Sequence, residues 1–166
     1  MRSKLLMLTA LLSLGAFSGN VLAGGTHAGG HDDGDNAIGV PGIAAKVTRT
    51  IAVNMTDDMR FTPGRITVSR GETIRFRVTN SGILKHEFVL GTKKELEEHY
   101  KAMLKFPTME HEEENTVTLA PAKAGEIIWQ FTRSGKVDFA CLQPGHYDEG
   151  MKGQVVVSDK KKQNRK

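Results

Sequence analysis

Thr73-Ile74-Arg75-Phe76-Arg77-Val78 alternates polar and apolar residues with a period of two. An extended chain sends successive side chains to opposite faces, so Ile74, Phe76 and Val78 share one face and the arginines the other. This is the pattern of a half-buried β-strand, and it extends to Thr79. Upstream, residues 65–69 repeat the alternation, with Pro63-Gly64 and Arg70-Gly71 as turn signals. Residues 47–53 are rich in β-branched side chains, which suit a pleated surface. Downstream, short strands are expected over 87–90, 116–119, 126–132, 137–140 and 154–158, punctuated by Gly125, Gly135 and Gly145.

One helix interrupts the series. Thr92-Lys93-Lys94-Glu95 has capping-box form, in which a hydroxyl and a carboxylate satisfy two orphan amides. Leu96, Tyr100, Met103 and Leu104 follow at helical spacing, and Pro107 lies just beyond the end. Residues 110–115 form an acidic loop. Helices do not alternate with strands, which argues against parallel α/β. The expected fold is all-β: an antiparallel, Greek-key β-sandwich of about seven or eight strands with one short helical insertion.

The ends of the chain carry a different signal. Met1-Arg2-Ser3-Lys4 is a short positive region, residues 5–17 are apolar, and Val21-Leu22-Ala23 fits the small-x-small cleavage rule. Residues 1–23 therefore read as a signal peptide cut after Ala23, and the mature protein as exported, with a bacterial periplasm as its expected place. No later segment has the length and hydropathy of a membrane span. Residues 24–46 read as a flexible His/Gly/Asp arm that includes His27 and His31. The folded domain is expected over 47–158, and residues 159–166 form a basic tail. The formal net charge of +4 resides in the two termini, and the body between them is slightly acidic. With no basic stripe interleaved with aromatics, nucleic acid is not an expected partner.

Chemistry concentrates in Cys141-Leu142-Gln143-Pro144-Gly145-His146-Tyr147-Asp148-Glu149-Gly150-Met151. Cys141 is the single cysteine, so it cannot close an intrachain disulfide. It is a buried inert thiol, an intermolecular bridge or a metal ligand. The neighbours favour the last reading. One loop between two strands carries a thiolate, an imidazole and a thioether, and Pro144, Gly145 and Gly150 allow it to turn tightly. Two histidines, a cysteine and a weak axial methionine make the coordination set of a type 1 copper centre. The loop lacks only one histidine. His27 and His31 lie in the arm, His99 on the helix and His111 in the acidic loop. His86 opens a strand directly before Phe88-Val89-Leu90, where it can face a loop at the same end of a sandwich. The expected metal ligands are thus His86, Cys141, His146 and Met151, holding one copper ion.

At this point the chain resembles the cupredoxins, the family of plastocyanin, azurin and rusticyanin. The resemblance covers roughly residues 47 to 158 and maps the family motif onto His86, Cys141, His146 and Met151. Three segments look like the periplasmic copper-tolerance cupredoxins of the CopI type: Lys85-His86-Glu87-Phe88, Phe106-Pro107-Thr108-Met109-Glu110-His111, and Phe139-Ala140-Cys141-Leu142-Gln143-Pro144-Gly145-His146-Tyr147. The resemblance implies a cupredoxin sandwich and a role in copper handling. It also implies that His146, flanked by Pro144 and Tyr147, is the port at which a periplasmic redox protein would dock. Glu87 departs from the better-known electron carriers, many of which have Asn there, bracing the copper loop by hydrogen bonds; groups around the ligands tune a metal site, so the colour and potential of those carriers do not carry over to this centre.

Two functions share such a centre: copper tolerance through binding and Cu(I)/Cu(II) cycling, and one-electron transfer between redox partners. An enzyme is not expected. The chain has no His-x-His pair for further coppers, one cysteine where a binuclear copper site needs two, and no open coordination position for a substrate. A weaker second copper site could draw on His99 and Met103, which share a helix face, with Met109 and His111 nearby. Met55 and Met59 add further thioethers, and His27 and His31 in the arm further imidazoles. Methionine is also a common core filler, and Met103 fits the apolar face of the helix, which makes packing the stronger reading of that residue.

Overall fold

The computed structural model describes residues 37–107 and 113–159. The signal peptide, the arm up to Asn36, Met109, His111 and the tail from Lys160 lie outside the described residues. Among the described residues ten strands run in chain order as β1 (Val40–Pro41), β2 (Arg49–Thr56), β3 (Arg60–Thr62), β4 (Arg65–Ser69), β5 (Thr73–Asn80), β6 (His86–Gly91), β7 (Thr116–Leu119), β8 (Ala124–Gln130), β9 (Gly135–Ala140) and β10 (Lys152–Ser158). Among the described residues one α-helix, α1 (Lys93–Lys105), is inserted between β6 and β7, and a single 3-10 turn, Ala44–Lys46, precedes β2. The strands form two five-stranded sheets, ordered β1-β8-β5-β2-β3 and β4-β10-β9-β6-β7.

The alternation in β5 sets the first sheet. Ile74, Phe76 and Val78 are fully buried, opposite Trp129, Ile127 and Gly125 of β8. Their partners in the second sheet are Ile66, Val68, Phe88, Leu90, Val137, Phe139, Val155 and Val157, which complete one core between the sheets. The expected sandwich is present, with two differences. The sheets are mixed, because β2 pairs with β5 and β4 with β10 in parallel. The strands β1 and β3 are additional, being too short to leave a periodic signal.

Part of the expected arm is also built in. Trp129 Nε1 donates to the Ile38 carbonyl at 2.8 Å, the Gly42 amide donates to Ile128 at 2.8 Å, and Val40–Pro41 pairs with β8. Ile38 is buried and adds its side chain to the core between the sheets.

Strand β6 is buried along its whole length. Phe88 and Leu90 face the inter-sheet core, whereas Val89 faces outward beneath α1. The helix begins with the expected capping box: Glu95 N–H donates to Thr92 Oγ1 at 3.2 Å and Thr92 N–H to Glu95 Oε2 at 2.7 Å. It lays Leu96, Tyr100 and Met103 on Val89, Ala140, Leu142 and Tyr147, making a second small core. Leu104, expected on the same face, is 52% exposed, at the margin of the apolar stripe. The helix therefore roofs the β6/β9 end of the second sheet, next to the loop that leaves Cys141.

Candidate metal centre

The antiparallel register of β6 and β9 pairs Val89 with Ala140 and Leu90 with Phe139. It brings the start of β6, His86, beside the chain leaving the end of β9, Cys141. The hairpin between β9 and β10 then folds residues 141–151 over this point. Cys141 N–H donates to the Met151 carbonyl and Met151 N–H to the His146 carbonyl, both at 3.0 Å. Gly145 and Gly150 take positive φ values of 88° and 91°, a left-handed backbone that glycine adopts without strain.

Three of the four expected ligands converge. One donor atom each from His86, Cys141 and His146 lies within 4.8 Å of the others. His146 Nδ1 is 3.2 Å from His86 Nδ1 and 3.3 Å from Cys141 Sγ. His86, Cys141 and Met151 are fully buried, while His146 is partly exposed. Met151 belongs to the same core cluster as Cys141 and is fastened by its backbone to both Cys141 and His146.

Burial shifts both titratable donors toward their neutral forms. Desolvation pushes the Cys141 thiol up to about 12, so without a metal it is a neutral thiol that sits in the core at little cost. Desolvation first, and then the neighbouring His86, push His146 below the ordinary imidazole value and favour the neutral, ligating form. Two imidazoles and one thiol, with a buried thioether on the same loop, form a mixed soft and borderline donor set that fits copper.

The supporting residues were only partly legible. Glu87 is buried; its amide donates to Cys141 Sγ at 3.3 Å. Its carboxylate accepts from Gln143 Nε2 at 2.5 Å and Thr118 Oγ1 at 3.3 Å. The brace between the strand and the loop thus exists, carried by a carboxylate and Gln143. Asp57, on the turn after β2, was missed: its Oδ1 lies 2.9 Å from His86 Nε2. An aspartate in a turn has no spacing that distinguishes it from ordinary turn chemistry. The Ile83 amide, and then His86, hold the Asp57 carboxyl below the usual carboxylate range. Arg60 on β3, also unpredicted, donates to the Glu149 carbonyl at 3.0 Å.

The helix ties down the outer side of the loop. Tyr100 Oη donates to Asp148 Oδ2 at 2.8 Å and accepts the Gly145 amide at 3.0 Å. Its ring stacks on Tyr147 with centroids 4.9 Å apart. Replacing Tyr100 by Phe removes both bonds and keeps the stack. The expected cost is about 1–2 kcal/mol in thermal or denaturant unfolding, with faster hydrogen exchange at the Gly145 amide. Unchanged exchange would show that the helix does not hold the loop. Met103, considered above for a second copper, is 2% exposed and packs with Leu96 and Tyr100; Met55 is fully buried in the main core.

The family model for copper binding proteins of the plastocyanin/azurin family matches residues 47–158. The chain belongs to that family. It is a copper-binding cupredoxin. It is 51% identical over 135 residues to the copper-resistant cuproprotein CopI of Rubrivivax gelatinosus, covering 81% of this chain and 82% of that protein. It is 37% identical to the protein of the same name from Pseudomonas aeruginosa, covering 73% of this chain and 82% of that one. Among solved structures, reduced auracyanin from Roseiflexus castenholzii superposes with a TM-score of 0.58 at 21% identity, covering 68% of this chain and 98% of that one. Auracyanin B gives a TM-score of 0.60 at 19% identity, covering 72% and 96%. At these identities the two auracyanins establish the cupredoxin fold. Among the described residues, no helix is long and apolar enough to cross a membrane.

Proposed function

We propose that the protein holds one copper ion between His86, Cys141, His146 and Met151 and serves copper tolerance in the periplasm, after export and cleavage following Ala23. The observation that carries this reading is the convergence of one donor atom each from His86, Cys141 and His146 within 4.8 Å, at the end of the sandwich where the Met151 loop closes. The relatives named copper-resistant cuproproteins support the physiological half. Bound there, copper supplies a one-electron Cu(I)/Cu(II) couple. The chain's part is to hold the donors in one arrangement for both oxidation states. Cys141 is fixed by the Glu87 amide, His86 by strand β6, and the loop by Tyr100 and the Glu87–Gln143 bond. A binding role rather than an enzymatic one follows from four protein donors that leave no position for a substrate.

A second reading, electron exchange with a periplasmic redox protein docking near His146, is favoured by one feature. His146 is the partly exposed member of the set, beside exposed Pro144 and Gly145. Copper sensitivity on deletion of the gene marks the first function, and a respiratory defect marks the second. The centre itself is tested by titrating the purified mature protein with Cu(II). The expected result is uptake of one equivalent with an intense visible sulfur-to-copper band and a type 1 EPR signal. A colourless protein that takes up no copper overturns the assignment.

A further inference from the structure

The carboxylate of Asp57 stands on the side of His86 opposite the copper donors. We propose that Asp57 is a positioning residue for the copper centre: it takes the Nε2 proton of His86 and so presents Nδ1 as the donor facing Cys141 and His146. This rests on the copper reading of the same site.

An ionised carboxylate only accepts, so the ring nitrogen facing it must carry the proton. His86 Nε2 lies 2.9 Å from Asp57 Oδ1, and His86 Nδ1 lies 3.2 Å from His146 Nδ1 on the other side of the ring. A neutral imidazole has one protonated nitrogen; with the proton on Nε2, the lone pair of Nδ1 is free for the metal.

The carboxylate is itself held. Its Oδ2 accepts the Ile83 amide at 2.7 Å and its Oδ1 the Leu84 amide at 3.3 Å. Asn80, fully buried, shapes the same turn by accepting the Gly82 amide at 2.9 Å and donating to the Leu84 carbonyl at 2.8 Å. Gly82 is required for the fit, because a Cβ there would collide with Asp57 Oδ1. The turn between β5 and β6 thus wraps the carboxylate and delivers it to the first residue of β6. A loop cap alone needs only the two amides. The third contact, to a buried proposed ligand, adds orientation of the imidazole and a negative charge behind it. Carboxylates placed behind ligating histidines fix their tautomer and raise their basicity. The added negative charge favours the more positive oxidation state of the metal.

The test begins without copper. Long-range proton–nitrogen NMR correlation of the metal-free protein, recorded above the ordinary imidazole pKa, reports which nitrogen of His86 is protonated. The wild type is expected to be protonated at Nε2. Asp57→Ala loses that preference, as does Gly82→Ala, which keeps the aspartate but pushes it away. Asp57→Asn retains an oxygen for Nε2–H but sets its NH2 against the Ile83 amide, so it keeps the tautomer and loses some thermal stability. In the loaded protein, Asp57→Ala lowers copper affinity by roughly 10- to 100-fold, and Asp57→Asn raises the midpoint potential. A wild-type His86 protonated at Nδ1, or a tautomer unchanged in Asp57→Ala, overturns the proposal. If Asp57→Ala does not fold, an Asp57→Asn potential equal to wild type overturns it. A wild type with the expected tautomer but no copper uptake refutes the copper reading instead.

Discussion

Serine in place of Cys141 leaves a folded protein whose sulfur-to-copper band is absent altogether. Cys141 is the single cysteine of the chain, so any such band in the wild type must arise from it. The substitution changes shape little. The Glu87 amide that donates to Sγ at 3.3 Å can donate to a hydroxyl instead, and the fold should lose about 1–3 kcal/mol. The chemistry changes far more. A hydroxyl does not ionise near neutral pH and is a hard oxygen, whereas Cu(I) selects soft thiolate and thioether donors. The two histidines remain, so weak Cu(II) binding with an ordinary tetragonal EPR signal can persist, while Cu(I) is lost to a chromophoric chelator that the wild type resists. The check is a parallel titration of both proteins, followed by absorption, EPR and chelator competition. A variant that keeps the wild-type band would remove Cys141 from the centre, and with it the convergence on which the assignment depends.

How much of this was visible in the sequence depends on what each residue needed to show. The inward faces of the long strands were legible because burial on one face imposes a period of two. Ile74, Phe76 and Val78 are therefore fully buried as their spacing predicts. The helix was legible from its cap, since Thr92 and Glu95 satisfy amides that any helix start leaves open. Short strands were not: Val40–Pro41 and Arg60–Thr62 contain too few residues for a pattern. The parallel pairings were invisible for another reason, because strand order is decided by which faces meet and no local signal records it. At the centre, His86, Cys141 and His146 could be placed by residue type and strand ends, and they meet. The residues that hold them were harder. Glu87 stood out only as a departure from a pattern, and its partner Gln143 only as a loop residue. Asp57 reaches His86 across 29 positions of chain through a turn whose geometry exists only in the fold.

Truncating Phe88 to alanine is expected to cost about 3–5 kcal/mol, a large share of the stability of a domain this size. Phe88 is fully buried, and its ring lies 5.7 Å from Phe61, 5.4 Å from Phe76 and 4.9 Å from Phe139. Phe61 and Phe76 belong to the first sheet, Phe139 to the second, so the ring joins the two layers and its loss opens a cavity between them. Neighbouring side chains reach in from β3, β5 and β9, whose own pairings restrain collapse into the void. The melting temperature should fall by roughly 10–20 °C, whereas Leu104→Ala, at a 52% exposed position, should change stability by no more than about 0.5 kcal/mol. The same strand carries His86 two residues earlier and the Glu87 amide that holds Cys141 Sγ, so a cavity at Phe88 loosens the donors as well as the core. Copper binds the folded chain in preference to the unfolded one, so saturating metal should recover part of the lost melting temperature in the variant. Denaturant unfolding of the metal-free and loaded proteins measures both effects. A loss below about 1 kcal/mol would mean that the sheets do not pack through this ring. A gain on loading as large as that of the wild type would mean that strand β6 does not couple the core to the metal centre.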